Sequence, residues 1–534
     1  MSTDPEVRPE APPSTPKHPA EKGVSGRDWI GFMSMVVGMF MAILDIQIVS
    51  SSLSEIQAGI SAGSDEVAWV QTAYLIAEVI MIPLSGWLAR LLSTRTLFLA
   101  SCVTFTLMSA ACAFAWDINS MILFRGLQGF LGGAMIPTVF ATSFILFPKR
   151  MQAGVGVLMG LTATMAPTLG PTIGGYLTQS LTWHWLFLIN VLPGIIVTVL
   201  VYLFVKAEKP HWEMLKGFDL WGILLVAGFL GCLEYVLEEG NRNDWFQDDA
   251  IFWSAVVSAV CFVAMLVREL TYSHPVVDLR AFKNRNFLLG CTFSFILGIG
   301  LYGSTYVVPL YLGEVLHYDS LEIGLTMMVT GGFQFMSAPV AGTLIKKIDA
   351  RLMLGMGLAL FGGGLYLNSD LTSNWGYWDL FLPQAVRGSA LMLCFIPINQ
   401  LALGMLPAHE VQNASGLYNL MRNLGGAIGL AVINTAITDR TKLHELRLAE
   451  RITDARAVVT EQFQALTDRF DGQFATNAEA AARAVISQRL ELQALVLTFQ
   501  DVLLLMASVF LVALLLMPFM KKVTPGGAGA DAAH

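Results

Sequence analysis

Six ionisable residues lie within long apolar stretches of the sequence. They are Asp45, Glu78, Arg125, Glu234, Arg387 and Arg422. A charged side chain in hydrocarbon is costly unless it is paired or faces water, so ionisable residues inside a membrane mark ion or substrate pathways. Carboxylates can bind and release protons, whereas a guanidinium stays charged. These residue types therefore indicate proton transfer or recognition of charged ligands inside a membrane.

Asp45 in the first stretch and Arg125 in the fourth are the strongest candidates for a functional pair. In one interpretation they form a permanent ion pair that fixes helix packing. In the other, Asp45 takes up a proton when it is desolvated and releases it when it faces Arg125 or water, which drives a switch between two conformations. Arg125 would then bias Asp45 and not carry the proton itself.

The other charged residues each have more than one interpretation. Glu78 is a second proton site, a counter-charge for cationic substrates, or a polar residue that lines a water-filled cavity. Arg387 and Arg422 either attract anionic substrates at a cavity wall or donate hydrogen bonds to carbonyl groups of neighbouring helices. Glu234 and Glu238 lie toward the outer end of their stretch, which favours a wetted interfacial position over a transport role.

These residues are positioned by helices that cross a membrane. The chain of 534 residues is 55% hydrophobic and 13% charged, which excludes a soluble globular protein with a wetted surface. A helix of about 20 apolar residues spans a bilayer, and fourteen stretches of that kind occur. We therefore predict an all-α polytopic membrane protein with fourteen transmembrane helices.

Motifs typical of enzymes do not occur in the sequence. It holds no HExxH zinc motif, no Walker lysine loop and no Cys/His cluster, and His184 stands between two tryptophans. The six cysteines all lie inside apolar stretches, where they behave as small apolar side chains. We expect no enzymatic activity, metal, cofactor or nucleic-acid partner.

The distribution of Lys and Arg predicts the orientation in the membrane. The loops on one side of the membrane contain more Lys and Arg than the loops on the other side. The basic loops include Arg90, Lys149, Lys346 and Lys521. Because Lys and Arg in short loops stay on the cytoplasmic side, we expect both termini to be cytoplasmic. The polar, helix-prone segment 438–495 would then form an extracytoplasmic helical loop between helices 13 and 14.

An internal repeat indicates two related halves. Pro83–Arg90 matches Pro339–Lys346, and, more weakly, Arg125–Gly126 matches Arg387–Gly388. In helix order the repeated segments are eight helices apart, so two six-helix halves flank two inserted helices. Parallel repeats of this kind occur in transporters whose halves rock about a midplane site.

The repeat predicts the domain organisation of the whole chain. The segments are a disordered cytoplasmic tail (1–28), an N-terminal six-helix bundle (29–206), two inserted transmembrane helices (217–270), a C-terminal six-helix bundle (286–519) and a cytoplasmic tail (520–534). The two tails are predicted to be disordered because they have little apolar surface to bury.

Four motifs point to a known family. They are Leu44–Val49 in the first helix, Arg125–Gly133 in the fourth, Ala166–Gly175 (APTLGPTIGG) in the fifth, and the linker His274–Phe287 before the ninth. Together they resemble motifs of the major facilitator superfamily, specifically its fourteen-helix drug:proton antiporters of the EmrB/QacA type. The fifth-helix motif is the most specific, because its GPxxGG core is characteristic of exporters in this superfamily.

One loop departs from the family pattern. After the second helix, Arg90 and Leu91 stand where the family often has Asp and Arg, and Ser93 replaces the second glycine. The resemblance therefore does not extend to the charged residues of that loop.

The resemblance implies that the fifth-helix motif is a gate that prevents leak and favours export. The gating residues would be Gly170, Pro171, Gly174 and Gly175. Glycines let neighbouring helices approach closely, and Pro167 and Pro171 permit a kink. Tight packing alone would also require the same glycines.

The resemblance further implies a proton-coupled multidrug efflux transporter that exports lipophilic toxic compounds across the inner membrane by alternating access. Proton coupling would involve Asp45, Glu78 and Arg125, and the cavity candidates are Glu78, Arg387 and Arg422. A periplasmic adaptor (a membrane fusion protein) and an outer-membrane channel would complete a tripartite pump. The alternatives are an exporter of a specific metabolite, such as a siderophore or a fatty acid, and a non-transporting membrane receptor.

Overall fold

Helices account for all regular secondary structure in the described part of the chain, which confirms the predicted all-α fold class. The computed structural model describes residues 24–50, 52–63, 66–206, 210–213, 219–272, 275–404, 406–452, 456–471 and 478–521. Most of the two predicted tails, residues 1–23 and 522–534, lies outside the described residues.

The helices of the N-terminal half make six membrane crossings. They are α1 (Gly26–Ser50), α2 (Leu53–Ile60), α3 (Trp69–Leu92), α4 (Thr94–Ala113), α5 (Ile118–Gly132), α6 (Met135–Leu146), α7 (Lys149–Ser180), α8 (Trp185–Leu188) and α9 (Val191–Phe204). α5 and α6 together form one crossing, as do α8 and α9, and α2 is a short helix after α1.

Two inserted helices and a second half follow. The inserted helices are α10 (Leu220–Glu239) and α11 (Asp249–Thr271). The second half contains α12 (Arg285–Glu314), α13 (Ser320–Leu344), α14 (Ala350–Asn368), α15 (Tyr377–Ala402), α16 (Ala408–Ala449), α17 (Ala457–Asp471) and α18 (Ala478–Ala513). The described residues of the loop predicted at 438–495 are largely helical, in the end of α16, in α17 and in the start of α18.

Thirteen helical segments of the described chain are long and apolar enough to cross a membrane. α13 is not among these, although it has 25 residues, because its sequence SLEIGLTMMVTGGFQFMSAPVAGTL is rich in Gly, Ser and Thr. It packs against α7 and α15 inside the bundle. Its outer face exposes large apolar side chains, among them Leu325, Phe335 and Met336, as expected of a helix that faces lipid. α13 therefore makes the fourteenth crossing.

Acidic caps set where several helices begin. Asp117 accepts a hydrogen bond from Ser120 N at 2.9 Å before α5, and Asp248 accepts one from Ile251 N at 3.0 Å before α11. Such caps satisfy the amide donors that the first helical turn leaves without partners. The helix starts therefore coincide with polar residues between the apolar stretches.

Ser93 occupies a backbone conformation that favours glycine. It lies between α3 and α4 with φ 84° and ψ 150°, a region in which a side chain is strained. Its Oγ accepts a hydrogen bond from Thr96 N at 3.3 Å and caps α4. The turn thus keeps the shape for which the related family uses glycine, although serine stands here.

Close glycine contacts show the register of the internal repeat. A Cβ atom at Gly129 in α5 would collide with the backbone carbonyl of Tyr74, and one at Gly388 in α15 would collide with that of Thr330. Tyr74 and Thr330 each lie nine residues before the proline of their repeated segment. Gly388 is therefore the structural counterpart of Gly129. The alignment of Arg125–Gly126 with Arg387–Gly388 is shifted from this structural match by three residues, about one helical turn.

Candidate functional site

Asp45 and Arg125 form an ion pair inside the N-terminal half. Arg125 Nη1 lies 2.6 Å from Asp45 Oδ2, and both side chains are fully buried. The contact joins α1 to α5. The predicted pair is therefore present, while its role in proton transfer stays a prediction.

Two amide side chains complete this polar site. Asn190 Nδ2 donates to Asp45 Oδ1 at 2.6 Å, and Gln128 Nε2 donates to the same oxygen at 3.3 Å. Oε1 of Gln128 accepts a hydrogen bond from Arg125 Nη1 at 2.8 Å. Sequence reasoning missed both amides. Gln128 could have been found because it lies one helical turn after Arg125, but nothing in the local sequence marks Asn190.

The Arg125 guanidinium is held on several sides. Nε donates to the backbone carbonyl of Val70 at 3.1 Å, and the guanidinium carbon lies 4.2 Å from the centroid of the Tyr74 ring. Nη2 has no hydrogen-bond partner among the described residues. A buried donor without a partner carries a desolvation cost, so this cation depends strongly on the charge of Asp45.

A cavity of about 460 Å³ lies between the two halves, toward the membrane side opposite the N-terminus. Its volume falls in the range of small-molecule binding sites. Polar and aromatic lining residues include Gln47, Gln71, Tyr302, Tyr306 and Asn434, and apolar ones include Pro171, Leu237, Leu310 and Ile323. The lining therefore suits an amphipathic molecule with a large apolar part.

The ion pair is linked to this cavity through neighbouring residues of α1 and α3. Gln47, which lines the cavity, is two residues after Asp45 on α1. Gln71 also lines the cavity. It follows Val70, whose backbone carbonyl accepts the hydrogen bond from Arg125 Nε. Helices α1 and α3 thus connect the polar site to the cavity wall, so a change at the ion pair can move residues that touch the cavity contents.

The three predicted cavity residues do not line this cavity. Glu78 is buried, and no hydrogen bond or ion pair joins it to another described residue. Arg387 Nη2 donates hydrogen bonds to Gln384 Oε1 and, at 3.3 Å, to Thr330 Oγ1. Arg422 donates to Asn419 Oδ1 at 2.9 Å. All three side chains are buried between neighbouring helices. They point away from the opening between the two halves.

The charged residues of the cavity wall come from the end of α10 and the residues after it. They are Glu238, Glu239 and Arg242. The expectation of a wetted interfacial position is corrected for Glu234, which is 4% exposed, whereas Glu238 faces the cavity. In the described part of the chain, no group of three or more His, Cys, Asp and Glu residues is arranged to hold a metal ion.

Backbone and side-chain contacts close the membrane side that holds the N-terminus. A Cβ atom at Gly86 would lie 2.8 Å from the carbonyl oxygen of Gln412, which shows how closely α3 approaches α16. Ser415 Oγ donates to the carbonyl of Pro137 at 2.8 Å and joins α16 to α6. The halves are therefore in contact on one side and separated by the cavity on the other.

The predicted gating motif lies in α7 at the interface between the halves. α7 is a continuous helix with Pro167 and Pro171 inside it. A Cβ atom at Gly170 would collide with Gln47 of α1, Pro171 lines the cavity, and Gly174 and Gly175 are buried. The motif therefore joins the cavity to the helix that carries Asp45, although its role as a gate stays a prediction.

We expect Gly170→Ala to impair transport and to destabilise the protein by about 1 to 3 kcal/mol, the usual cost of overpacking. The added methyl would overlap Gln47 and push α1 away from α7. Gly154→Ala is the matched control on the same helix, because nothing lies within 4 Å of a Cβ atom there. Thermal unfolding and substrate uptake by vesicles should separate the two variants, and equal behaviour would contradict the assigned contact.

Comparison with known proteins identifies relatives over nearly the whole chain. The Major Facilitator Superfamily model matches residues 35–430. The "Colistin resistance protein EmrB" of Acinetobacter baumannii is 42% identical over 494 residues, which cover 92% of this chain and 96% of that protein. The "Multidrug export protein EmrB" of Escherichia coli K12 is 28% identical, with coverages of 94% and 97%. The "Fatty acid resistance protein FarB" of Neisseria gonorrhoeae is 30% identical, with coverages of 80% and 84%.

Solved structures share the fold. The proton:xylose symporter XylE has a TM-score of 0.58 and 12% identity, with coverage of 92% of this chain and 96% of that chain. The human organic anion transporter MFSD10 (TETRAN) has a TM-score of 0.54 and 13% identity, with coverages of 91% and 100%. At these identities the similarity concerns the fold alone.

Proposed function

The chain belongs to the Major Facilitator Superfamily, in its EmrB-type drug:proton antiporter branch, and we propose that it is a proton-coupled multidrug exporter that works by alternating access. The observation that carries the proposal is the fully buried Asp45–Arg125 pair beside a cavity that opens toward one side of the membrane. Ionisable residues are costly to place inside a membrane even as a pair, so a pair of this kind marks a functional site.

The proposed cycle uses protonation of Asp45 as its switch. When the cavity faces outward, a proton from that side neutralises Asp45 and leaves Arg125 without its counter-charge. A buried ion that has lost its partner is strongly unfavourable, so the equilibrium shifts toward the conformation in which the cavity opens to the other side. The proton leaves there and a substrate enters. At a membrane potential of 100 mV, each proton that crosses supplies about 2.3 kcal/mol.

The cavity lining supports lipophilic compounds of drug size as substrates. Apolar side chains such as Leu237, Leu310 and Ile323 provide contact area, and Tyr302 and Tyr306 provide aromatic faces. Surfaces of this kind accept varied molecules because they lack a rigid pattern of hydrogen bonds. The names of the relatives, which refer to multidrug export and colistin resistance, agree with this class.

Export of a specific metabolite such as a fatty acid is the second candidate. The similarity to FarB, whose name refers to fatty acid resistance, and the presence of Arg242 in the cavity wall favour it. A carboxylate headgroup would bind near Arg242, whereas a lipophilic cation would bind near Glu238 and Glu239.

The test measures proton movement across vesicles that contain the purified protein and an internal pH dye. Lipophilic cations such as tetraphenylphosphonium, weakly acidic antibiotics and long-chain fatty acids are added in turn, with protein-free vesicles as the control. Proton release with several unrelated compounds supports multidrug antiport. Release with fatty acids alone supports the second candidate, and no release with any compound contradicts proton coupling.

We place the protein in the inner membrane with both termini in the cytoplasm, as part of a tripartite pump. The basic loop residues support the orientation, and α17 with the adjoining ends of α16 and α18 provides a helical surface outside the membrane for a periplasmic adaptor, which passes substrate to an outer-membrane channel.

A cysteine at Gln464, an exposed position in α17, should react with a membrane-impermeant maleimide added to intact spheroplasts. Lys521→Cys, after the last transmembrane helix, should react only after permeabilisation. A bifunctional reagent attached at position 464 should also cross-link a co-expressed adaptor. Labelling in the opposite order would overturn the orientation, and labelling without cross-linking would count against the adaptor surface.

A further inference from the structure

The inserted helix α10 carries three carboxylates in its last two turns, Glu234, Glu238 and Glu239. A helix at the edge of a bundle gains no stability from such residues, because each carboxylate removed from water carries a cost. The proton cycle described above uses none of them. Their positions relative to the cavity and to Glu78 indicate what they do.

Two of the three carboxylates meet the cavity. Glu238 and Glu239 belong to its lining, so water that enters the cavity reaches them. Oε1 of Glu239 accepts a hydrogen bond from Thr72 Oγ1 at 3.1 Å, which attaches the end of α10 to α3. Glu238 and Glu234 are four residues apart, so they lie on the same face of the helix.

Glu234 is buried without a full set of partners. It is 4% exposed, and its Oε2 atom has no hydrogen-bond partner among the described residues. The charged groups within electrostatic range of it are Glu238, on its own helix, and Glu78, on α3. Both are carboxylates, so no basic residue among these neighbours compensates a negative charge on Glu234.

Packing between α10 and α3 places Glu234 beside the part of α3 that runs from Trp69 to Ile80 and includes Glu78. On one side, a Cβ atom at Gly231 would lie 3.2 Å from the Ile80 side chain. On the other side, the rings of Tyr235 and Trp69 stack with centroids 5.5 Å apart. Glu78 in turn interacts electrostatically with Arg125 and Asp45.

The helices around Glu234 contribute few other titratable groups. Tyr302 of α12 interacts electrostatically with Glu234 and with Glu78. Arg422 of α16 acts on Glu78 and thereby supplies the nearest positive charge on that side. Carboxylates thus extend inward from the cavity wall, which also holds Arg242, and Arg422 and Arg125 lie at the inner end of the series.

We propose that Glu234 transfers protons from the cavity to the centre of the protein, in the order Glu238, Glu234, Glu78. This inference rests on the proposed proton-coupled function and assigns a role to the first inserted helix. At each step the O–H bond of a protonated carboxyl group breaks as an O–H bond forms on the next carboxylate, and no electron is transferred. The proton comes from hydronium in the cavity, which becomes water, and it ends on the Asp45 carboxylate as the O–H bond on Glu78 breaks.

Glu234→Gln should lower substrate-induced proton release about 100-fold, the typical contribution of one positioned proton-transfer group. Exchange of labelled for unlabelled substrate across vesicles needs no net proton movement. If the substitution breaks only the proton path, the exchange rate should stay within about twofold of the rate of the parent protein. Glu234→Asp keeps a titratable group and should restore part of the proton release. Tetraphenylphosphonium serves as the probe in these measurements.

Glu269→Gln is the matched control. Glu269 is a buried carboxylate on the other inserted helix, near the side of the N-terminus, and its Oε2 accepts a hydrogen bond from Val277 N at 3.3 Å, which the amide oxygen of Gln can also accept. This variant should keep the proton release of the parent protein. Should Glu234→Gln fail to reach the membrane, Glu238→Gln interrupts the same path one turn closer to the cavity. Because Glu238 also lies where a lipophilic cation would bind, this variant is measured at saturating tetraphenylphosphonium.

The outcomes separate this inference from the proposed function. If the parent protein exchanges substrate without any proton release, proton coupling itself is wrong. If the parent releases protons and Glu234→Gln releases them equally well, the relay is wrong while proton coupling stands. Loss of both exchange and proton release in Glu234→Gln and Glu238→Gln alike would show a structural role and would also overturn the relay.

Discussion

Asp45→Asn should abolish substrate-induced proton release, with a loss of about 100-fold or more, because a positioned proton acceptor has been removed. Asparagine has nearly the same shape as aspartate, and its Oδ1 atom can still accept the hydrogen bond from Asn190 that now measures 2.6 Å. The variant leaves Arg125 without its counter-charge, however, so it should be less stable. It should favour the conformation that the proposed cycle assigns to the protonated transporter, and substrate exchange should fall as well. The measurement is proton release and substrate exchange in the same preparation.

The control for this prediction is a second buried aspartate that pairs with an arginine. Asp219 lies 3.0 Å from Arg268, where the inserted helices approach each other near the membrane side of the N-terminus. Asp219→Asn should leave proton release intact because this pair does not adjoin the cavity. Unchanged proton release in Asp45→Asn would move the coupling site to another carboxylate and would favour a permanent structural pair at Asp45.

Arg125→Gln should destabilise the protein by about 3 to 5 kcal/mol, because it leaves a buried carboxylate without its partner. Asp45 is fully buried, and Arg125 supplies its ion-pair contact at 2.6 Å. The double variant with Asp45→Asn removes both charges and should recover most of the lost stability while it still lacks proton release. Unfolding in mixed micelles gives the free energies for the double-mutant cycle.

Arg483→Gln provides the matched substitution at the surface. Arg483 forms a 3.7 Å pair with Glu479, and both side chains are more than two-thirds exposed, so the loss should be about 1 kcal/mol or less. A double variant whose loss of stability equals the sum of the losses in Arg125→Gln and Asp45→Asn would mean that the two charges are not energetically coupled. The pair would then have neither a structural role nor a role as a switch.

Much of the fold follows from residue types alone. Fourteen apolar stretches predict fourteen crossings because the hydrocarbon thickness sets the helix length, and α1 to α18 follow that plan. α13 is one of the fourteen predicted stretches although its hydropathy is lower than that of the other crossings, and its proline motif repeats that of α3. The domain boundaries and the orientation stay predictions.

The pairing of Asp45 with Arg125 was also predictable, for an energetic reason. Very few opposite charges occur in the apolar stretches of the N-terminal half, and a buried charge without a partner is unfavourable. Residues farther along the chain were less predictable. Arg387 and Arg422 are charged and lie in apolar stretches too, but whether such a residue faces a cavity or a neighbouring helix depends on the rotation of its helix.

By itself, then, the sequence determined the class of protein, the number of crossings and the central ion pair, because these depend on hydropathy, length and the cost of buried charge. The tertiary structure alone decided that Asn190 completes the Asp45 site, that Glu238 and not Arg387 faces the cavity, and that Gly388 matches Gly129. Each of these depends on how helices distant in sequence rotate and approach one another, and that geometry is set by the packing of side chains between them.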